Sequence, residues 1–182
     1  MSNDSTTPGY LTPVGDAPAY DQELELQISR WISGVTGMDP TLVYPGWTDP
    51  QPQAPVSDTA WCTFDVATLP DVAATANIQV SDEESEQWMW ENVTVAARFY
   101  GPQAMSMSTC FRDGICVEQN QNALRSDAGL SLTSAGDITN QQESINNQWV
   151  RRCDITVVLS RKNTRIFNIK TLRSAPVQFF GD

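Results

Sequence analysis

Apolar residues at Leu24, Ile28, Trp31, Ile32 and Val35 recur at spacings of four, three, one and three, which puts them on one face of an α-helix starting near Tyr20. Asp21 is placed to cap its start, and Gly37 to end it in a left-handed turn. Such a stripe is a packing face, so Trp31 is expected to serve the core and not a ligand. Upstream, residues 1–19 are rich in Ser, Thr, Pro, Gly and Asp. They carry too few large apolar groups to offset the entropy of ordering, and are expected to be flexible unless a partner captures them. Residues 20–182 are expected to form a single domain.

After a brief extended piece at 41–44, the segment 45–58 holds four prolines in fourteen residues, which excludes both a continuous helix and a central strand. Trp47 lies in this loop, where an apolar ring either tucks into its own domain or docks on a partner. Residues 60–67 alternate Cys62, Phe64 and Val66 with Thr63 and Asp65, as a half-buried strand does; Trp61 shares the second side and is a candidate to face another subunit. A small-residue stretch at 68–76 leads to a short strand at 77–81. Repulsion among Asp82, Glu83, Glu84 and Glu86 then favours an exposed turn.

Residues 87–100 place Val93, Val95, Ala97 and Phe99 on one face of a strand. Gly101 permits a sharp exit and Pro102 suits the first turn of a helix whose Ala104, Met107 and Phe111 point one way. Gly114 interrupts that helix, and a second helical piece covers 117–125. The polar stretch 126–148 has weak periodicity and is assigned no element. From Trp149 to Leu159 the pattern alternates again; Arg161, Lys162 and Asn163 are expected to turn the chain, and 164–173 to return as a partner strand.

Charge and chemistry narrow the picture. The chain has no histidine, and so lacks the commonest general base and metal ligand. No phosphate-cradling loop, dinucleotide fingerprint or nucleophile elbow is found. Glu83 and Glu86 sit in a solvated turn without the burial that separates an acid from a base. The acidic run lacks the alternating ligands and central glycine of a calcium loop. Cys62, Cys110, Cys116 and Cys153 match neither a close redox pair nor a zinc pattern; they are expected to be reduced and packed, with Cys110 and Cys116 as core fillers. No catalytic, cofactor-binding or metal-ligating residue is therefore assigned. No stretch approaches the roughly 20 apolar residues of a membrane span. The start has neither a basic nor an apolar leader region, so a soluble, non-secreted protein is expected.

The net charge of −11 opposes a phosphate-neutralising surface, so DNA is expected to slide past it. That charge is unevenly spread, with Arg30 alone against fifteen acidic residues in 1–97, but ten basic against seven acidic in 98–182. Such polarity suits head-to-tail contact between copies, although ordinary solvated charge also accounts for it. The seven basic residues of the last segment, Arg151, Arg152, Arg161, Lys162, Arg165, Lys170 and Arg173, are expected to guard a sheet edge, to meet the acidic half of a neighbour, or to touch DNA. All of them but Lys170 form, with Trp47 and Trp61, the candidate subunit-interface set.

Four segments carry a family likeness: Arg98-Phe99-Tyr100-Gly101-Pro102-Gln103-Ala104 at the strand-to-helix joint, Trp149-Val150-Arg151-Arg152 opening the late strand, Leu42-Val43-Tyr44-Pro45, and Trp61-Cys62-Thr63-Phe64. In their order they resemble phage neck or tail terminator proteins over roughly residues 20–175. The resemblance implies an α+β fold with helices packed on a mainly antiparallel sheet. It also implies a hexameric ring at the head-proximal end of the tail tube that stops tube growth and docks the head connector. The implied partners are further copies, the tail tube protein and a connector or stopper protein, with DNA passing through the channel without specific binding and no membrane. The implied location is the virion, after assembly in the host bacterial cytoplasm. A head-completion stopper or adaptor ring, a tail-tube subunit, and a small enzyme or binding module built from Asp, Arg and Tyr are the alternatives.

Overall fold

The apolar stripe of the first helix is buried as its spacing predicts. In the computed structural model, which describes residues 4–50, 52–55 and 58–171, with side chains for all of these but 72–74, helix α1 spans Asp21–Thr36. Leu24, Ile28, Trp31 and Ile32 are buried, and Val35 packs against the same core. Gly37 ends the helix at φ 72°, its N–H donating to the Ser33 carbonyl at 2.8 Å. The start differs from expectation. Tyr20, in an extended conformation, is the capping residue, Asp21 is the first helical residue, and no side chain caps the end. Tyr20 is held there by its own ring, which lies under the Arg161 guanidinium at 4.6 Å, and by its hydroxyl, which donates to Glu91 at 3.0 Å.

The extended piece at 41–44 resolves into a 3-10 turn at Pro40–Leu42 and strand β1 at Val43–Pro45. Asp39 accepts from the Thr41 N–H at 2.8 Å, so the turn takes residues that the apolar pattern had given to the strand. Strand β2 runs Trp61–Gln79 and strand β3 Glu84–Tyr100. Helix α2 is Ala104–Gly114 and helix α3 Glu118–Ala128. They are followed by strands β4 at Ser131–Ala135, β5 at Thr139–Ile145 and β6 at Gln148–Asn168. Among the described residues these strands form one six-stranded sheet in the order β1-β2-β3-β6-β4, with β5 paired to another stretch of β6. The fold is α+β and the sheet mainly antiparallel, with β1 parallel to β2.

Three stretches depart from the sequence reading. Residues 68–76 continue β2 although Pro70 lacks an N–H; β1 pairs with β2 at Cys62–Phe64, well before Pro70, where an edge position tolerates the missing donor. The unassigned stretch 126–148 holds β4 and β5. Asn146 and Asn147, at φ 51° and 62°, make the two-residue turn that sets Ile145 opposite Gln148. The expected turn at Arg161, Lys162 and Asn163 is absent, because β6 continues straight through it. Arg161 and Asn163 extend the inward row of Cys153, Ile155, Val157 and Leu159 and are themselves 4% exposed. Of the expected return strand, residues 164–168 are thus the end of β6, 169–171 follow it outside any strand, and 172 and 173 lie outside the described residues.

By their contacts the residues group into two compact units. The larger comprises Ala19–Asp71 and Trp90–Lys162. Its core is built on one sheet face, where Val93, Val95, Ala97 and Phe99 are all 0% exposed, as predicted. They meet the row from β6 and the inward residues of the three helices. Phe111 of α2 lies edge-on to Trp31 at 5.0 Å and tilted to Phe99 at 5.7 Å, locking α1 and α2 to the sheet. Cys62 and Cys153 are buried in this core. Cys110 and Cys116 are exposed free thiols, contrary to the core-filling expectation. The inward positions of α2 are taken by Ala104, Ser108 and Phe111, which leaves Cys110 on the outer face.

The smaller unit comprises Met1–Pro18, Val72–Met89 and Asn163–Asp182, so far as they are described. Val14 donates to the Ile166 carbonyl at 2.7 Å, Lys170 pairs with Glu83 at 3.0 Å, and Ile169 donates to the Glu83 carbonyl at 2.9 Å. Of the acidic run, Asp82 and Glu83 lie at the β2–β3 turn, whereas Glu84 and Glu86 already belong to β3.

Two local features matter below. At the β3–α2 joint Gly101 has φ 95°, and a Cβ there would lie 2.5 Å from the Thr59 carbonyl oxygen. At the sheet's margin, Pro45 of β1 has no N–H, and the Val43 carbonyl accepts from the Ser29 hydroxyl at 2.7 Å.

Candidate functional site

Within the larger unit the helices cover one face of the sheet, and alternation sends the intervening side chains to the other. Trp61 stacks on Tyr100 with centroids 4.0 Å apart and planes 5° apart, and on Tyr44 at 5.9 Å and 7°. The three rings, from β1, β2 and β3, form a continuous aromatic floor. Charged pairs frame it. Arg98 bonds Asp65 across β3 and β2. Arg152 donates to Glu143 at 2.8 Å, to Asp154 at 2.8 Å and to Gln141 at 2.7 Å, while the Tyr100 hydroxyl donates to Glu143 at 3.0 Å. With Pro52 and Ala54 of the proline-rich loop, the three rings, Arg98, Glu143 and Arg152 line an open cleft of about 520 Å³.

The chemistry of this cleft is that of a fixed surface. The Arg152 hydrogen bond holds the Glu143 carboxyl below the ordinary glutamate range. Burial, then the neighbouring Glu143 charge, pushes the Tyr100 hydroxyl up to about 12, so at neutral pH it donates a hydrogen bond and does not act as a base. Because folding lowers the Glu143 pKa, its network stabilises the protein above the unfolded glutamate pKa, and that contribution is lost as pH falls through the depressed folded value. Thermal unfolding between pH 7 and pH 3 is therefore expected to show a gap between the wild type and Glu143→Gln that closes toward the acid end; a gap independent of pH would refute the assignment. Among the described residues no group of three or more His, Cys, Asp or Glu is arranged to hold a metal, and no helix is long and apolar enough to cross a membrane.

The sequence-predicted set is only partly brought together. Trp61 is 7% exposed and joins Arg152 in the cleft. Arg151, next along β6, is exposed on the opposite side of that strand, the side that also carries Trp149. Arg161 is buried and paired with Glu91. Lys162 is exposed and Arg165 half-buried on the later part of β6. Trp47 is 78% exposed beside a second groove next to α1. Arg173 lies outside the described residues. Tyr44, Tyr100 and Glu143 were not foreseen. Arg98 and Tyr100, alternating with the apolar row of β3, were the readable sign of a polar face there, but Glu143 sits in a strand whose polar sequence hides it.

No curated protein matches the chain. Residues 22–182 match the family described as phage neck terminator protein. Because that match runs along nearly the whole sequence, from the second residue of α1 to the last residue, this chain belongs to the phage neck terminator protein family.

Proposed function

We propose that the protein forms a ring at the head-proximal end of the phage tail tube, where it ends tube growth and joins the tail to the head connector. The family match over residues 22–182 carries this reading, and membership gives the chain a structural role in the neck of the virion. Its partners are copies of itself, the tail tube protein and the connector or stopper protein. DNA passes through the channel without specific binding, in keeping with a net charge of −11. Termination follows when one ring face fits the last tube layer and the other cannot template a further layer. The sheet face with its aromatic floor and paired charges, bare of the helices that cover the opposite side, supports such two-sidedness. Trp47, Arg151, Lys162 and Arg165, with Arg173 beyond the described residues, are the contacts proposed between protomers. Trp61, Arg152 and Arg161 act from inside the protomer by fixing its shape.

The test is to remove this protein from its phage and measure tail tubes by electron microscopy. Tubes of variable, excessive length without attached heads are expected. Tubes of normal length lacking heads would instead assign the protein to head completion.

A further inference from the structure

A second depression of the larger unit, about 760 Å³, lies between α1, β1 and the proline-rich loop. Leu26, Pro40, Pro45 and Trp47 give it an apolar lining, and Leu26 and Trp47 are 57% and 78% exposed. Asp21, Glu25 and Asp49 rim it, and no basic side chain is among the described residues that line it. Apolar walls under a purely acidic rim select an occupant that brings an exposed ring and a cation together. The chain carries such a pair. On β6, Trp149 is 76% exposed and Arg151 is exposed two positions on, so both point to the same side of the strand.

The pair and the groove do not meet within one protomer. The groove sits at β1, one margin of the sheet, whereas β6 lies beyond β2 and β3, about 14 Å away at the usual strand spacing. We propose that the groove of one copy receives Trp149 and Arg151 of the next, with the indole against Leu26 and Trp47 and the guanidinium facing Glu25 and Asp21. Each protomer then has one acceptor surface, at the β1 margin of the sheet, and one donor surface on β6, beyond β2 and β3. Such a head-to-tail contact repeats from copy to copy and makes a ring where its rotation closes. The contact rests on the ring reading above and specifies which surfaces mate within it. It also uses the charge imbalance of the chain, since the groove belongs to the acidic half of the sequence and the inserted pair to the basic half.

The experiment uses full-length chain carrying Cys110→Ser and Cys116→Ser, which removes the exposed thiols. Two differently sized tagged forms are mixed, one with Gln22→Cys in the groove, the other with Ser144→Cys, the β5 residue paired with Trp149. Under mild oxidation the mixed disulfide is expected to exceed either same-variant disulfide by about tenfold; equal amounts, or a dominant Ser144→Cys homodimer, would overturn the proposal. In light scattering, Trp149→Ala and Arg151→Glu are each expected to raise the concentration for half-association by on the order of tenfold, and Glu25→Arg added to Arg151→Glu to restore it. If both variants fold and associate like the wild type, the groove contact falls and the ring stands. If the wild type stays monomeric at every concentration, alone and with isolated tail tubes, both fall.

Discussion

Replacing Arg161 with alanine is expected to lower the unfolding free energy by about 3–5 kcal/mol, the cost of leaving one member of a buried ion pair alone. The Arg161 and Glu91 side chains are 3% and 5% exposed and bonded to each other. Arg161 also donates to the Ala19 carbonyl at 2.7 Å and lies over the Tyr20 ring. Removing the guanidinium leaves the Glu91 carboxylate in low dielectric with the Tyr20 hydroxyl for company and takes the cation off the Tyr20 ring at the start of α1. Glu91→Ala is expected to cost about as much, because the stranded guanidinium is equally hard to bury dry. Already one Arg161 nitrogen, Nη2, finds no acceptor among the described residues. The pair is therefore not optimal, and the double replacement Glu91→Leu with Arg161→Met is expected to remain within about 1 kcal/mol of the wild type or exceed it. Urea unfolding of the four proteins decides the matter. Single-variant losses below about 1 kcal/mol would mean that water reaches the pair and that its burial is incomplete.

The second large effect is expected at Gly101. Alanine there must hold a left-handed backbone, at about 1–2 kcal/mol. It must also place a methyl 2.5 Å from the Thr59 carbonyl oxygen, where backbone has to shift, and such overpacking adds about 1–3 kcal/mol. A combined loss of about 2–5 kcal/mol is expected. Gly129 is the internal control: it has φ 65°, but a Cβ there meets nothing within 4 Å. Gly129→Ala should therefore show the backbone cost alone, about 1–2 kcal/mol. Equal losses at the two sites would show that the joint yields to the added methyl. Because the Gly101 N–H also donates to the Arg151 carbonyl at 3.1 Å, a shifted joint would loosen the start of β6 as well.

What the sequence revealed and what it hid have different physical origins. The α1 stripe, the inward row of β3 and the row from Cys153 to Leu159 were readable because each buries one face against a single apolar core, and burial of one face is what periodicity records. Strand β5, Thr-Asn-Gln-Gln-Glu-Ser-Ile, is held by main-chain pairing to β6 and buries little, so its composition resembles a loop; the Asn146-Asn147 pair was its one local clue. The turn expected at 161–163 is absent because only Lys162 faces solvent, whereas Arg161 and Asn163 are buried against what a charge and an amide suggest. Arg161 keeps the inward register by meeting a carboxylate that lies seventy residues away in sequence. The cleft was half legible for the same reason: Trp61 and Arg152 stand out by residue type, whereas their meeting with Tyr44, Tyr100 and Glu143 depends on strand order, which no local pattern encodes.

The β1 margin constrains how this molecule can multiply. A foreign strand arriving there finds a proline that brings no amide hydrogen and a Val43 oxygen already occupied by Ser29. Merging of sheets between copies has no foothold along that border. Protomers meeting on this side are left to side-chain packing, so they join and part without rebuilding a main-chain ladder, and a misplaced copy is released and not locked into a fibril.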